Sequence, residues 1–259
     1  MTMKRIAIIT GAVTAVATIA GVAVFAAIFL GSSGNTPVDY PDLRALPATL
    51  IRVTESPDTG TRRLRFQTEL WNGGDGPLEF RPDTPPGSAQ TYAYQRLYTY
   101  DDTGALSFVR EHYAGTFAYH QGHKHWHLGD FAGYQLRTVA EDGSTGDITV
   151  VSANKVSFCL VDDDNVDANL EDAAPAKAYN KCTRGNTQGI SVGWGDIYEG
   201  FLPGQSLDLT GVDDGDYWLL VTADPTNITL ETDDSNNTSA VKIRISGLKV
   251  EVLDDGESP

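Results

Sequence analysis

Basic residues and cysteines are scarce in this chain. Its 259 residues include 19 Lys and Arg against 35 Asp and Glu, which gives a formal net charge of −16. A surface this acidic repels phosphate backbones and attracts cations, so nucleic acid is excluded as an expected partner. Hydrophobic residues still make up 41% of the chain, enough to bury a core, which argues against wholesale disorder.

A long uncharged apolar run, Ile6–Leu30, follows the basic residues Lys4 and Arg5. Its 25 residues can span a bilayer, which takes about 20, whereas the apolar part of a signal peptide is usually about 7–15 residues long. The length favours an uncleaved signal anchor over residues 1–31, with a cleaved signal peptide as the alternative. On either reading the rest of the chain is expected to be extracytoplasmic, membrane-anchored or secreted, after a linker at residues 32–39.

The body of the chain has the pattern of short β-strands. Leu64–Trp71 alternates apolar and polar side chains, and Tyr92–Tyr100 and Leu106–Tyr113 flank a hairpin turn signal. A sustained 3.6-residue period, which would indicate a helix, is lacking. We therefore predict an all-β fold, in which residues 40–250 form a single β-sandwich-like domain with long loops. An N-terminal hydrophobic helix would precede this domain, and an acidic tail over residues 251–259 would follow it.

All five histidines lie between residues 112 and 127. His123, His125 and His127 occupy alternate positions, and alternate side chains of a β-strand share one face about 7 Å apart. Three imidazoles arranged in this way can bind one metal ion, and an all-nitrogen ligand set favours Cu(II) or Zn(II). The spacing does not choose between these metals, and a surface histidine cluster is the alternative.

Three segments, in the same order, resemble segments of the lysyl oxidase family. Tyr119–His127, with the sequence YHQGHKHWH, is similar to that family's copper-binding segment. Asn154–Leu160 resembles the stretch that holds the cofactor lysine, and Thr187–Ser191 precedes Tyr198, which stands in the place of the cofactor tyrosine. The resemblance implies that copper binds His123, His125 and His127, and that lysyl tyrosylquinone forms from Lys155 and Tyr198.

The same resemblance implies a copper- and quinone-dependent amine oxidase of the protein-lysine 6-oxidase type. Such an enzyme converts a primary amine, here expected to be lysine or a lysyl side chain, together with O₂ and water, to an aldehyde, ammonia and hydrogen peroxide. The reaction needs a base for the substrate's α-proton. Asp196, two residues before Tyr198, and Asp130, three residues after His127, are the candidates.

Cys159 and Cys182 are the only cysteines. In an extracytoplasmic protein they are predicted to form a disulfide, with ligation of a metal by the thiols as the alternative. A bridge that closes a loop of this size stabilises the fold by roughly 3 kcal/mol in the chain-entropy account.

Oxygen-bearing side chains are concentrated in residues 231–237, and calcium binds six to eight oxygen ligands. The run resembles a calcium site of some lysyl oxidases, which is completed by an Asp-Leu pair near the start of the domain. A polar hairpin loop is the alternative. The ligands that the resemblance implies are Asp42, the carbonyl of Leu43, Glu231, Asp233, Asn236 and Asn237.

Two other classes of function stay open on the sequence. Three histidines can hold a catalytic zinc with water in the fourth position, as in a hydrolase or lyase, although no clear Glu base lies near the histidine run. Residues 215–237 resemble strands of Ig-like adhesion domains, so a non-catalytic extracellular copper-binding module is the second alternative.

Overall fold

A computed structural model of the chain describes residues 36–122, 124–152 and 156–256. Thr36–Pro259 forms one compact unit, whose described residues contain sixteen β-strands and one 3-10 turn at Asp234–Asn236. The strands are β1 (Leu43–Ala45), β2 (Thr49–Glu55), β3 (Arg62–Asn72), β4 (Leu78–Asp83), β5 (Thr91–Tyr100), β6 (Leu106–His120), β7 (His125–Val139), β8 (Thr145–Val151), β9 (Val156–Phe158), β10 (Asp164–Asn165), β11 (Gln188–Ile190), β12 (Trp194–Tyr198), β13 (Ser206–Asp208), β14 (Gly215–Ala223), β15 (Thr238–Ser246) and β16 (Lys249–Asp254).

The predicted fold class needs one correction. The described residues are all-β as expected, but none of them forms the N-terminal apolar helix that completed the prediction, so that part of the fold class is wrong. The hydrophobic pattern from residue 36 onward has the strand period of two, which is why strands form there. Residues 1–31 lie outside the described part of the chain. Among the described residues, no helix is long and apolar enough to cross a membrane.

The strands form two antiparallel sheets. The larger has ten strands in the order β11-β4-β5-β6-β7-β14-β15-β16, and β8 and β9 both pair with β7 off this path. The smaller has six strands in the order β1-β3-β12-β10, and β2 and β13 both pair with β3. Side chains from both sheets bury one shared hydrophobic core.

Strand β3 shows how the sequence produces this core. Its buried positions alternate with half-buried or exposed ones, and Leu64, Phe66 and Leu70 are fully buried. Burial of one such side chain stabilises the fold by roughly 1.5–3 kcal/mol. The polar Thr68 shares this inward face and is also buried. A small polar region therefore lies inside an otherwise apolar core.

The hairpin between β6 and β7 contains the histidine run. His120 at the end of β6 pairs with His125 at the start of β7, and the N–H of Lys124 donates to the carbonyl of His120 over 2.8 Å. Lys124 has a φ of 60°, which is turn geometry rather than strand geometry. Because β7 begins only at His125, the strand argument applies to His125 and His127, while His123 lies outside the described residues.

The predicted disulfide between Cys159 and Cys182 is confirmed, with Cα atoms 5.7 Å apart. Cys159 follows β9, and Cys182 lies in the long connection between β10 and β11. The bridge therefore joins this connection to a strand that pairs with β7. The alternative, that these thiols bind a metal, is excluded because both sulfur atoms are used in the bridge.

Candidate functional site

Two of the three predicted metal-binding histidines are described, and their rings converge. Nε2 of His125 lies 2.8 Å from Nε2 of His127, and the two ring centroids are 4.8 Å apart. The ring of His120, at the end of β6, stacks on that of His127 at a centroid distance of 4.9 Å. The hairpin thus gathers three imidazoles, and the two on β7 direct the same ring atom at one point.

The separation of the two Nε2 atoms fits a shared metal ion. A metal about 2.0–2.1 Å from each of two imidazole nitrogens, at a right angle, holds those nitrogens about 2.9 Å apart. Within the described ranges, no group of three His, Cys, Asp or Glu side chains is arranged to hold a metal ion. Of the three predicted metal ligands, the described residues therefore include His125 and His127, both on β7.

Ser157 on β9 contacts the other side of the His127 ring. Its Oγ lies 3.1 Å from Nδ1 of His127. When Nε2 binds a metal, Nδ1 carries the proton and donates to such a partner, which fixes the orientation of the ring. Sequence reasoning missed this residue. The signal that could have found it is a single hydroxyl in the otherwise apolar run Val156–Leu160.

Tyr198 is buried beside the histidines. Its ring centroid lies 6.5 Å from that of His127 and 3.8 Å from that of Phe158 on β9. Its hydroxyl oxygen accepts a hydrogen bond from the backbone N–H of Cys159. Burial, and secondarily the charge of Asp196, raise the pKa of this phenol far above its usual range. Tyr198 is therefore a neutral phenol beside His127 on β7. Lys155 lies outside the described residues.

Asp196 shares the inward face of β12 with Tyr198. Its side chain is only 1% exposed, and by distance and angle neither carboxyl oxygen has a hydrogen-bond partner among the described residues. Burial, followed by the nearby carboxyls of Asp163 and Asp162, raises its pKa well above that of an ordinary aspartate. A buried carboxyl of this kind is a strong proton acceptor once it is ionised.

Tyr134 on β7 completes the polar region of the core. Its hydroxyl accepts a hydrogen bond of 2.6 Å from Nε2 of Gln205 and lies 3.4 Å from Oγ1 of Thr68. Burial raises the pKa of Tyr134 to about 12, and the charge of Asp196 adds to this shift. Two neutral phenols and one carboxyl therefore share the space between the sheets.

Asp130, the second candidate base, has a different environment. It is exposed, and its φ of 57° coincides with an irregularity in the pairing of β7 with β9 between Leu128 and Ala132. Aspartate tolerates this left-handed conformation better than most residues do. Of the two candidates, Asp196 is the one that lies in the buried space beside Tyr198.

The residues of the predicted calcium site are also brought together, at the start of β1. Oε2 of Glu231 accepts a hydrogen bond of 2.7 Å from the N–H of Leu43, and Oε1 accepts one of 2.8 Å from Asn237. Asn236 donates to both carboxyl oxygens of Asp42, at 3.0 and 3.2 Å. The loop before β15 is thereby joined to the N-terminal edge of the domain.

Two buried oxygen atoms in this cluster are left without a hydrogen-bond partner in the described part of the chain. The Oδ1 atoms of Asn236 and Asn237 are buried and have no hydrogen-bond partner among the described residues. Buried amide oxygens are rarely left unpaired, and they are ligands that calcium accepts. Asp233 is exposed, and its Oδ1 accepts a hydrogen bond from the N–H of Ser235, which caps the 3-10 turn. Nε of Arg44 donates to Oδ2 of Asp42 over 2.7 Å.

The fold and site define an all-β protein in which a converging histidine pair contacts a buried tyrosine. A family model described as lysyl oxidase matches residues 88–254, and the chain belongs to the lysyl oxidase family. The resemblance found in the three sequence segments is thereby confirmed.

Individual relatives are similar over more than half of this chain. Lysyl oxidase homolog 4 of Mus musculus is 31% identical over 164 residues, which cover 61% of this chain and 20% of the relative. Lysyl oxidase homolog 1 of Homo sapiens is 34% identical, with 56% of this chain and 23% of the relative covered. Protein-lysine 6-oxidase of Sus scrofa is 32% identical, with 56% and 53% covered. The chain spans about a fifth of the length of the first two relatives.

The contact between Ser157 and His127 generates a prediction. Ser157→Ala removes a partner of Nδ1 and weakens the restraint on the ring, so we expect copper affinity to fall roughly 10- to 100-fold. Competition titration with a chelator of known affinity measures this change. Ser239→Ala is the matched control, because Ser239, although more buried than the half-buried Ser157, also makes one side-chain hydrogen bond, to the carbonyl of Leu46. Equal copper affinity in the two variants would exclude the role of Ser157.

Proposed function

We propose that this chain is a copper- and lysyl tyrosylquinone-dependent amine oxidase. It converts a primary amine, O₂ and water to an aldehyde, ammonia and hydrogen peroxide, with lysine or lysyl side chains as the expected substrates. The observation that carries the proposal is the contact of Tyr198 with His127 of the converging pair, in a chain of the lysyl oxidase family. The name of the Sus scrofa relative, protein-lysine 6-oxidase, supports lysine as the substrate class.

The residues present fit the two cofactors. His125 and His127 would hold copper, together with His123 as the expected third ligand, and Tyr198 would provide the ring that Lys155 joins. Copper and the quinone supply a path for electrons from the amine to O₂, which ordinary side chains cannot provide. The protein provides the positions of these groups through Ser157, Phe158 and the backbone of Cys159.

Asp196 is the proposed base for the proton on the substrate's α-carbon. It lies on the same strand face as Tyr198, and its raised pKa makes the ionised form a better proton acceptor. The aromatic and aliphatic side chains of the core exclude water from its surroundings. The acidic surface adds a long-range effect, because it attracts amines, which are cations at neutral pH.

The other function classes have less support. A zinc hydrolase needs a base that activates a metal-bound water, and the phenol beside His127 is poorly suited to that role because burial strongly raises its pKa. A non-catalytic copper-binding module would have no use for a carboxyl buried beside that phenol. We also propose an extracytoplasmic location, which the disulfide supports because such bridges persist in oxidising compartments.

Copper reconstitution tests the proposed function. Protein prepared without copper and then given Cu(II) in air is expected to develop visible absorption and to release peroxide with a primary amine. Mass spectrometry of a digest should find the peptides of Lys155 and Tyr198 joined. His112→Ala is the control, because His112 contacts the carbonyl of Ile228 and should leave copper content and activity unchanged.

Tyr198→Phe should bind copper but stay colourless and inactive, because the phenol that becomes the quinone is gone. Amine oxidation that persists while the two peptides elute unmodified would overturn the proposal. Copper binding without colour or turnover in the wild-type protein would favour the non-catalytic module, and hydrolysis with zinc would favour the hydrolase.

The two candidate bases give opposite expectations. Asp196→Asn should keep copper and cofactor absorption but lower kcat roughly 10²- to 10⁴-fold, the usual contribution of a general base. Asp130→Asn should stay close to the wild-type rate, since Asp130 is exposed on a bulge. Stopped-flow measurement of the rate at which the amine reduces the cofactor separates the two. A normal rate in Asp196→Asn would remove Asp196 from the mechanism.

The same variant has an expected effect on stability with a definite sign. Because the pKa of Asp196 is raised in the folded protein, the folded state retains a proton that the unfolded chain releases. The free energy of unfolding therefore falls as pH rises above the ordinary aspartate range. Asp196→Asn should make this fall shallower without abolishing it, because burial also raises the pKa values of Glu69 and Glu231 to about 7. Urea unfolding at acidic and neutral pH measures the difference.

We propose calcium as the cation of the second site, with Asp42, the Leu43 carbonyl, Glu231, Asp233, Asn236 and Asn237 as ligands. Calcium at about 100 times its Kd should stabilise the fold by about 2.7 kcal/mol, and this increment should be lost in Asn237→Ala. Thermal unfolding with and without calcium measures it. Asp102→Asn, in an exposed turn, is the control. An unchanged calcium response in Asn237→Ala would exclude the site.

A further inference from the structure

Gln188 is a buried polar residue on β11, and both the nitrogen and the oxygen of its side-chain amide form hydrogen bonds. Its side chain is 1% exposed. Nε2 donates a hydrogen bond of 2.8 Å to the carbonyl of Trp126, and Oε1 accepts one of 3.1 Å from the N–H of Leu160. One side chain therefore joins the backbones of two segments that are distant in sequence.

These two segments are the two halves of the candidate site. Trp126 lies between His125 and His127, so its peptide groups set the positions of both ligands. Leu160 follows Cys159, whose N–H donates to the hydroxyl of Tyr198. Gln188 thus connects the backbone of the histidine pair to the backbone that contacts the phenol.

The disulfide makes a second connection between the same segments. The N–H of Trp126 donates to the carbonyl of Cys182 over 2.8 Å, and Cys182 is bonded to Cys159. Among the described residues the strand ladder between these segments is short, because β9 spans three residues and pairs with β7 at Leu128 and Ala132, across an irregularity. The amide and the disulfide therefore supply restraints that strand pairing does not.

We infer that Gln188 is a positioning residue, which together with the disulfide fixes the spacing between the histidine pair and Tyr198. This inference rests on the proposed function, because oxidation of a phenol near a metal requires the two to be held in a fixed geometry. The two hydrogen bonds of Gln188 go to the backbone of Trp126 and Leu160, so it would act on the site through the backbone.

A matched control exists in the same chain. Gln95 on β5 is also fully buried, and its amide makes the same two types of hydrogen bond, both of 2.8 Å, to the N–H and the carbonyl of Leu230. It joins a different loop to the large sheet. Gln95→Met and Gln188→Met each remove two hydrogen bonds to buried backbone groups, so a purely structural role predicts similar losses of stability and no difference in copper binding.

The experiment compares the two variants in the full-length protein reconstituted with Cu(II). Gln188→Met is expected to bind copper roughly tenfold more weakly, to change the Cu(II) electron paramagnetic resonance spectrum, and to develop cofactor absorption more slowly. Gln95→Met should match the wild-type spectrum and copper affinity. If Gln188→Met does not fold, Gln188→Glu is used, which keeps the acceptor for Leu160 but loses the donor to Trp126, and the same direction of change is expected.

The outcomes separate this inference from the proposed function. Wild-type protein that binds copper and oxidises amines, with identical spectra and copper affinities in the Gln188 and Gln95 variants, would overturn the role of Gln188 alone. Wild-type protein that binds no copper would overturn the proposed function and this inference with it.

Discussion

Strand β12 runs antiparallel to β3 in a register that pairs Tyr198 with Thr68 and Asp196 with Leu70. Because β3 turns these positions toward the core, the phenol and the carboxyl enter the space between the sheets. A slip of one residue would turn both outward and leave His127 with no aromatic partner from this strand. With this register the hydroxyl of Tyr198 accepts the hydrogen bond of the Cys159 N–H, and its ring lies beside that of His127.

The polar groups around Asp196 are buried in an apolar core, which is unfavourable for their charged forms. Tyr134, Tyr198 and Asp196 all have raised pKa values because burial disfavours their charged forms. Hydrogen bonds from Gln205 and from the N–H of Cys159 satisfy the two phenols, whereas Asp196 faces the carboxyl of Asp163, which raises its pKa further. Sites of chemistry commonly retain such unfavourable groups, whose reactivity depends on the environment that destabilises them.

Local pattern predicted the parts of the fold that depend on neighbouring residues. The expected strands Leu64–Trp71 and Tyr92–Tyr100 lie within β3 and β5, because alternation is a property of the segment itself. The predicted N-terminal helix was the wrong part of the fold class. Ser157 and Gln188 could not be found in this way, because each acts through a partner on another strand. We expected all three histidines to share one strand face. Because β7 begins at His125, the argument applies to His125 and His127.

Lys124 and Asp130 have φ values of 60° and 57°, so a left-handed residue stands on either side of His125 and His127. This backbone restricts which amino acids the hairpin can accept during evolution, independently of any chemistry at the histidines. Glycine, asparagine and aspartate are tolerated in such conformations, whereas valine, isoleucine and threonine are strongly disfavoured. Substitutions at these two positions can therefore change the charge, whereas β-branched residues are strongly disfavoured there.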